Sequence, residues 1–225
     1  MLFSKFGESD VNQIDCIFFW QGGLVSEEFD DLIVRAIDVQ FEGVVATSRN
    51  NPDVRIIKEQ LVLGSIDIVE FCNSFLEITN IPIKESELRN QIATNTSFFP
   101  DLKEVIEELM ENYDLWLISD YPPEFQDIIF DKNNFEDYFS SEKTIRCSEL
   151  QSARVKPDIY YFAVNKSGYP MSNCLLVDSN TPRAVESVRI GFSSIIYIDL
   201  QRFRRELVLR EMLIKSPIDY QAKKL

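Results

Sequence analysis

Residues 98–120 read FFPDLKEVIEELMENYDLWLISD. Pro100 and Asp101 suit a first helical turn, where a missing N–H costs nothing and an acid meets the positive end of the helix dipole. Leu102, Val105, Ile106, Leu109 and Met110 then recur at the spacing of one helical face. The stretch DLWLIS (114–119) is apolar at nearly every position, which is how a strand buried on both sides reads. A helix that feeds such a strand is half of a repeating α/β unit.

The alternation continues outward from there. A helix is expected near 123–130, a strand at KTIRC (143–147) and a helix from Pro157. A strand at CLLVD (174–178), a helix near 182–189, a strand at SSIIYI (193–198) and a last helix over 201–214 follow. Towards the amino end, IFFWQGGLV (17–25) is an apolar run that breaks into two glycines, a strand entering a tight loop. Residues 26–97 carry only helical patterns. Ser26 is a suitable N-cap, with Phe29, Leu32, Ile33, Ala36 and Ile37 behind it. Helices are expected near 53–63 and 66–79, the second with Ile68, Val69, Cys72, Phe75 and Leu76 on one face, and a short one in IPIKESELRNQIA. The fold class read from this is α/β: a Rossmann-like parallel sheet flanked by helices, built from residues 1–25 and 98–225. Residues 26–97 form a helical insertion after the first strand.

Composition narrows what such a chain does. Its 225 residues are 45% hydrophobic, enough for a sizeable core, and its net charge of −14 argues against nucleic acid as a partner. Residues 201–225 reverse that sign with seven Lys/Arg against three Asp/Glu, a basic helix that lies on the acidic body or in solvent. Four widely spaced cysteines read as buried thiols in a reducing compartment. Without a leader pattern or a long apolar run, the expectation is a cytoplasmic chain with no membrane contact. There is no histidine, which removes Ser–His and Cys–His nucleophile pairs and the commonest zinc ligand together.

Ligands of open parallel sheets gather beyond the carboxyl ends of the strands. Here those ends read WQGG (20–23), ISDYPP (118–123), RVKPD (154–158, the Lys-Pro that opens a helix) and VDSNTPR (177–183). Their order and spacing resemble the haloacid dehalogenase-like (HAD) superfamily, in particular members with a helical cap after the first motif, many of them phosphatases. The resemblance spans essentially the whole chain and makes 26–97 the cap.

The resemblance implies a nucleophilic Asp closing the first strand and an acid two residues on, and here those places fall on Phe19 and Gln21. It implies a Ser that holds the transferring group at Ser119, a Lys at Lys156, and a Mg²⁺-binding acid at Asp178, followed by Ser179 where many relatives carry a second acid. Arg183 occupies a place where Asn is common. A phenyl ring has no lone pair with which to attack, and a carboxamide has no proton to give near neutral pH. The chain is therefore expected to be a catalytically inactive binding or regulatory pseudoenzyme. The alternative is a HAD-type small-molecule phosphatase with residual activity through Ser119, Lys156 and Asp178, and a third reading is a structural subunit whose basic tail docks on an acidic partner. Asp178 alone would hold Mg²⁺ poorly, so no cofactor is expected beyond a loosely held Mg²⁺. The partner is an unidentified protein or a small anionic ligand.

Each of these residues also has a plainer reading. Ser119 satisfies backbone groups at a strand end, and Asp120 caps a turn or serves as an improvised base. Lys156 pairs with Asp178 or merely opens a helix. Trp20 and Phe19 plug the old cavity or stack on a ligand ring, and Arg183 is an exposed residue or meets an anion at a helix start. Arg49, Asn50 and Asn51 form a polar turn or face a ligand. Asp15, at the amino end of the first strand, is too far back to replace the missing nucleophile.

Overall fold

A computed structural model describes residues 13–24, 29–38, 51–150 and 157–213. Its centre is β1 (Cys16–Trp20), whose five residues are all fully buried. β2 (Asp114–Ser119) and β4 (Cys174–Asp178) flank it, β3 (Thr144–Arg146) lies outside β2, and β5 (Ser193–Ile196) lies outside β4. All four pairings are parallel, in the order β3-β2-β1-β4-β5. The continuous apolar runs of β1, β2 and β4 belong to the three inner strands, each covered on both faces. β5 lies at an edge, and Ile196 and Ile198 there remain exposed.

Side chains alternate across a strand, so β1 serves two cores. Phe18 meets Trp116 and Phe192, Trp20 meets Tyr160, and Tyr160 meets Phe192 in turn. Phe19 projects the other way, edge-on against Phe139 and Phe203. The helices that cover the sheet follow the sequence pattern. They are α5 (Pro100–Met110), α6 (Pro123–Asn133), the short α7 (Cys147–Leu150), α8 (Asp158–Ser167), α9 (Thr181–Ile190) and α10 (Leu200–Leu209). α10 lies by α5, with Arg204 3.5 Å from Glu108. The rest of the basic stretch, 214–225, is outside the described residues. α9 ends at Gly191, whose φ of +112° favours glycine, and an added Cβ there would sit 3.3 Å from Met171 Sδ.

Between β1 and α5 the described residues form α1 (Phe29–Asp38), α2 (Pro52–Val62), α3 (Ile68–Thr79) and α4 (Glu85–Asn95). Asn51 caps α2 by accepting from the Asp53 and Val54 amides, and Asp67 with Glu70 forms a capping box at α3. The buried face of α3 is Ile68, Phe71, Cys72 and Phe75, the true i, i+3, i+4, i+7 stripe. Val69 and Leu76, expected on it, are exposed, as is Met110 at the end of α5. α6 is the platform beneath these helices. Glu124 accepts from the Ile68 amide and from Arg89 Nη2, both at 2.9 Å, and Lys132 Nζ donates to the carbonyls of Ala93 and Thr94 at the end of α4. Among the described residues no helix is long and apolar enough to cross a membrane.

Candidate functional site

Three strands end side by side at the carboxyl edge of the sheet. β1 stops at Trp20 and turns through a single 3₁₀ turn, Gln21–Gly23. β2 stops at Ser119, followed by Asp120, and β4 stops at Asp178. Phe19 is in register with Val177 and Trp20 with Ile118, which brings Trp20 beside Asp178. α9 begins immediately after β4. Asn180 caps it by accepting from the Arg183 amide at 3.1 Å, and its own amide donates to Asp178 Oδ1 at 2.8 Å. This tight strand-to-helix connection aims the first-turn Arg183 back over the sheet.

Arg183 meets Asp178 as a two-pronged ion pair, Nε to Oδ2 at 2.7 Å and Nη2 to Oδ1 at 2.8 Å. Its Nη1 lies 3.6 Å from Asp120 Oδ2, and its guanidinium carbon sits 4.4 Å from the centroid of the Trp20 ring. All four residues are buried. Tyr160 Oη adds a bond to the Arg183 carbonyl at 3.1 Å. One cation thus lies between two carboxylates on an aromatic face, with little water to screen it. Burial pushes the Asp178 carboxyl above its usual range, and Asp120 adds to the rise. The Arg183 guanidinium and the Asn180 amide pull against it. Burial likewise raises the Tyr160 phenol.

Neutral groups lie at this edge as well. Ser119 Oγ accepts from Gln126 Nε2 at 2.9 Å and from the Tyr121 amide at 3.4 Å, and Gln126 also donates to the Tyr121 carbonyl. Gln21 is fully buried, yet among the described residues neither side-chain amide atom has a hydrogen-bond partner, and the same holds for Trp20 Nε1. Each such group costs roughly 1–3 kcal/mol.

The structure therefore brings together Gln21, Ser119, Asp120, Asp178 and Arg183 at one edge of the sheet. It corrects two expectations. Phe19 is not at the edge: its ring is in the core on the opposite face, and Trp20, one residue on, is the β1 side chain that meets the charges. Strand alternation fixes that parity. Nor is Arg183 an exposed residue, because the acid five positions earlier and the indole hold it inside. Lys156 as counter-ion of Asp178 is one of its two sequence readings, the other being a helix start. Arg183 takes both carboxylate oxygens, and Lys156 lies outside the described residues, as do Ser26, Arg49 and Asn50. Asn51 is a helix cap. Asp15 accepts from Asn173 Nδ2 at the far end of β1. Sequence reasoning missed Tyr160 altogether, although VKPDIYYF places an aromatic residue on the first turn of α8.

Comparison with known proteins follows the same lines. The family model described as haloacid dehalogenase-like hydrolase matches residues 21–184. No curated protein matches the chain in sequence. Among solved structures, a HAD family enzyme from Bacteroides thetaiotaomicron, an Asp-to-Ala variant in complex with magnesium and inorganic phosphate, is 16% identical. It superposes with a TM-score of 0.70 over 84% of this chain and 98% of that one. A HAD-like family hydrolase from Porphyromonas gingivalis gives 0.68 at 16% identity, covering 90% of this chain and 100% of that one. L-2-haloacid dehalogenase from Xanthobacter autotrophicus gives 0.60 at 16% identity, covering 87% and 83%. Likeness at these identities is likeness of fold.

Proposed function

The chain belongs to the haloacid dehalogenase-like hydrolases, and from that premise we propose that it binds rather than hydrolyses. In this reading it is a pseudoenzyme whose α/β core carries residues 26–97 as a helical cap. The observation that carries the reading is the buried indole of Trp20 at the end of β1, stacked on a guanidinium that already holds Asp178. Attack on a phosphorus or carbon centre needs a nucleophile with an available lone pair and an open approach. Trp20 supplies neither, and Phe19 faces the core. Gln21, which follows, can donate and accept hydrogen bonds but cannot protonate a leaving group. Ser119 has its oxygen engaged by Gln126 and Tyr121, which supports a structural role for it.

What remains is binding of a protein partner or a small anionic ligand by the surface around this buried cluster. The test is a steady-state assay of the full chain with p-nitrophenyl phosphate and Mg²⁺. No turnover above buffer is expected. Turnover that disappears in Asp178→Ala would establish the residual phosphatase instead.

A further inference from the structure

Two acids buried beside each other need a positive charge between them. In this fold family that charge is implied to be Mg²⁺, an ion that demands hard oxygen ligands at about 2.0–2.1 Å in a near-octahedral shell. The residues here do not fit it. The end of β1 offers an indole and a carboxamide, and both Asp178 oxygens accept from Arg183, with Oδ1 accepting from the Asn180 amide as well. Among the described residues no group of three or more His, Cys, Asp or Glu is gathered to hold a metal.

The same surroundings suit a guanidinium. It is planar, it is always charged, and its fork matches a carboxylate edge with two parallel N–H···O bonds. Its flat face is weakly hydrated and stacks on an indole, whereas a hydrated Mg²⁺ would be stripped of water against that ring. The Asn180 cap and the Tyr160 bond to the Arg183 carbonyl fix the first turn of α9, so the charge is delivered from a rigid element.

We propose that the Arg183 guanidinium is a permanent, chain-borne replacement for the family's divalent cation, tying Asp178 and Asp120 together at the carboxyl edge and keeping metal out of it. Arg183 is in this sense a positioning residue. The state of the edge then no longer depends on Mg²⁺ concentration, and the join between β4, α9 and the end of β1 is closed by the polypeptide itself. This rests on the family assignment and goes beyond the loss of hydrolysis. Turnover without metal would sink the earlier reading and leave this one standing, while saturable Mg²⁺ binding by the unaltered chain would sink this one whatever the turnover.

The experiment is a MgCl₂ titration of the full chain at constant ionic strength, followed by calorimetry and by melting temperature, on the parent, Arg183→Ala and Arg183→Lys. The parent is expected to show no saturable heat and no Mg²⁺-dependent shift. Arg183→Ala is expected to melt roughly 5–10 °C lower without metal and to regain part of that loss saturably as Mg²⁺ fills the vacated place. Arg183→Lys, which keeps the charge and loses the fork, is expected to fall between and to gain less from Mg²⁺. Saturable binding to the parent overturns the proposal. So does an Arg183→Ala chain that loses no stability, or one that Mg²⁺ does not rescue. Should Arg183→Ala fail to fold, the parent titration and the Arg183→Lys rescue decide alone.

Discussion

Arg183 lies over the ring of Trp20, guanidinium carbon to ring centroid 4.4 Å, so the last residue of β1 and the first turn of α9 share one contact. The indole also buries an N–H that finds no acceptor among the described residues. Trp20→Phe keeps an aromatic face for the guanidinium and removes that donor, so relief of about 1–3 kcal/mol offsets its loss of volume. Trp20→Ala removes the face and leaves a cavity, at a cost of ~3–5 kcal/mol. Urea denaturation should rank the variants in that order. Equal losses would mean that the ring does not support Arg183.

Gln21 is another buried group with no hydrogen-bond partner among the described residues. Gln21→Leu has nearly the same shape without the amide, and replacing an unsatisfied buried polar group by an apolar one of similar shape is neutral or favourable. We expect a gain of roughly 1–2 kcal/mol. A loss of that size would reveal that the amide is satisfied in solution, by water or by something held at the edge of the sheet.

Asn133 stitches α6 to the chain that returns from α4. Its Oδ1 accepts from the Phe98 amide at 2.6 Å, and its Nδ2 donates to the carbonyls of Thr96 at 3.0 Å and Ile129 at 2.8 Å. The bonds are buried, so Asn133→Ala strands two backbone groups away from water. The expected cost is about 1–3 kcal/mol, with amide hydrogen exchange at 96–98 accelerating before that of β1.

Cys72, inside α3, is pushed up to about 11, mainly by burial, with Glu85 adding to the rise and Arg89 opposing it. The neutral thiol is the form the fold favours. Its contribution is complete below the ordinary thiol pKa and is lost as pH rises through about 11. Native chain at pH 8 should leave Cys72 unlabelled by thiolate-directed reagents, and labelling should climb steeply towards pH 11. In Cys72→Ala the alkaline loss of stability over that window should be smaller than in the parent.

What the sequence made legible was whatever depends on local periodicity. CLLVD is β4 residue for residue, DLWLIS is β2, and both put their terminal Ser119 and Asp178 at the edge where ligands of such sheets bind. Properties set by distant partners were not legible. Whether Phe19 or Trp20 faces the charges turns on the parity of β1 against β4, and a run of five apolar residues carries no alternation to reveal it. Arg183 reads as an ordinary first-turn residue because its burial depends on an indole more than 160 positions earlier. The stripe of α3 slipped for a simpler reason. Val69 and Leu76 neighbour the true face, and only packing separates the two.

The position of β1 also sets the order in which this chain can mature. Its second inner neighbour arrives late in synthesis: Asp15, just before β1, bonds Asn173, just before β4, across 158 positions. A segment of solid aromatic and aliphatic residues therefore leaves the ribosome long before its second partner exists. Until β4 emerges, β1 has one edge unpaired, and the nascent chain must be shielded by its own helices or by a chaperone.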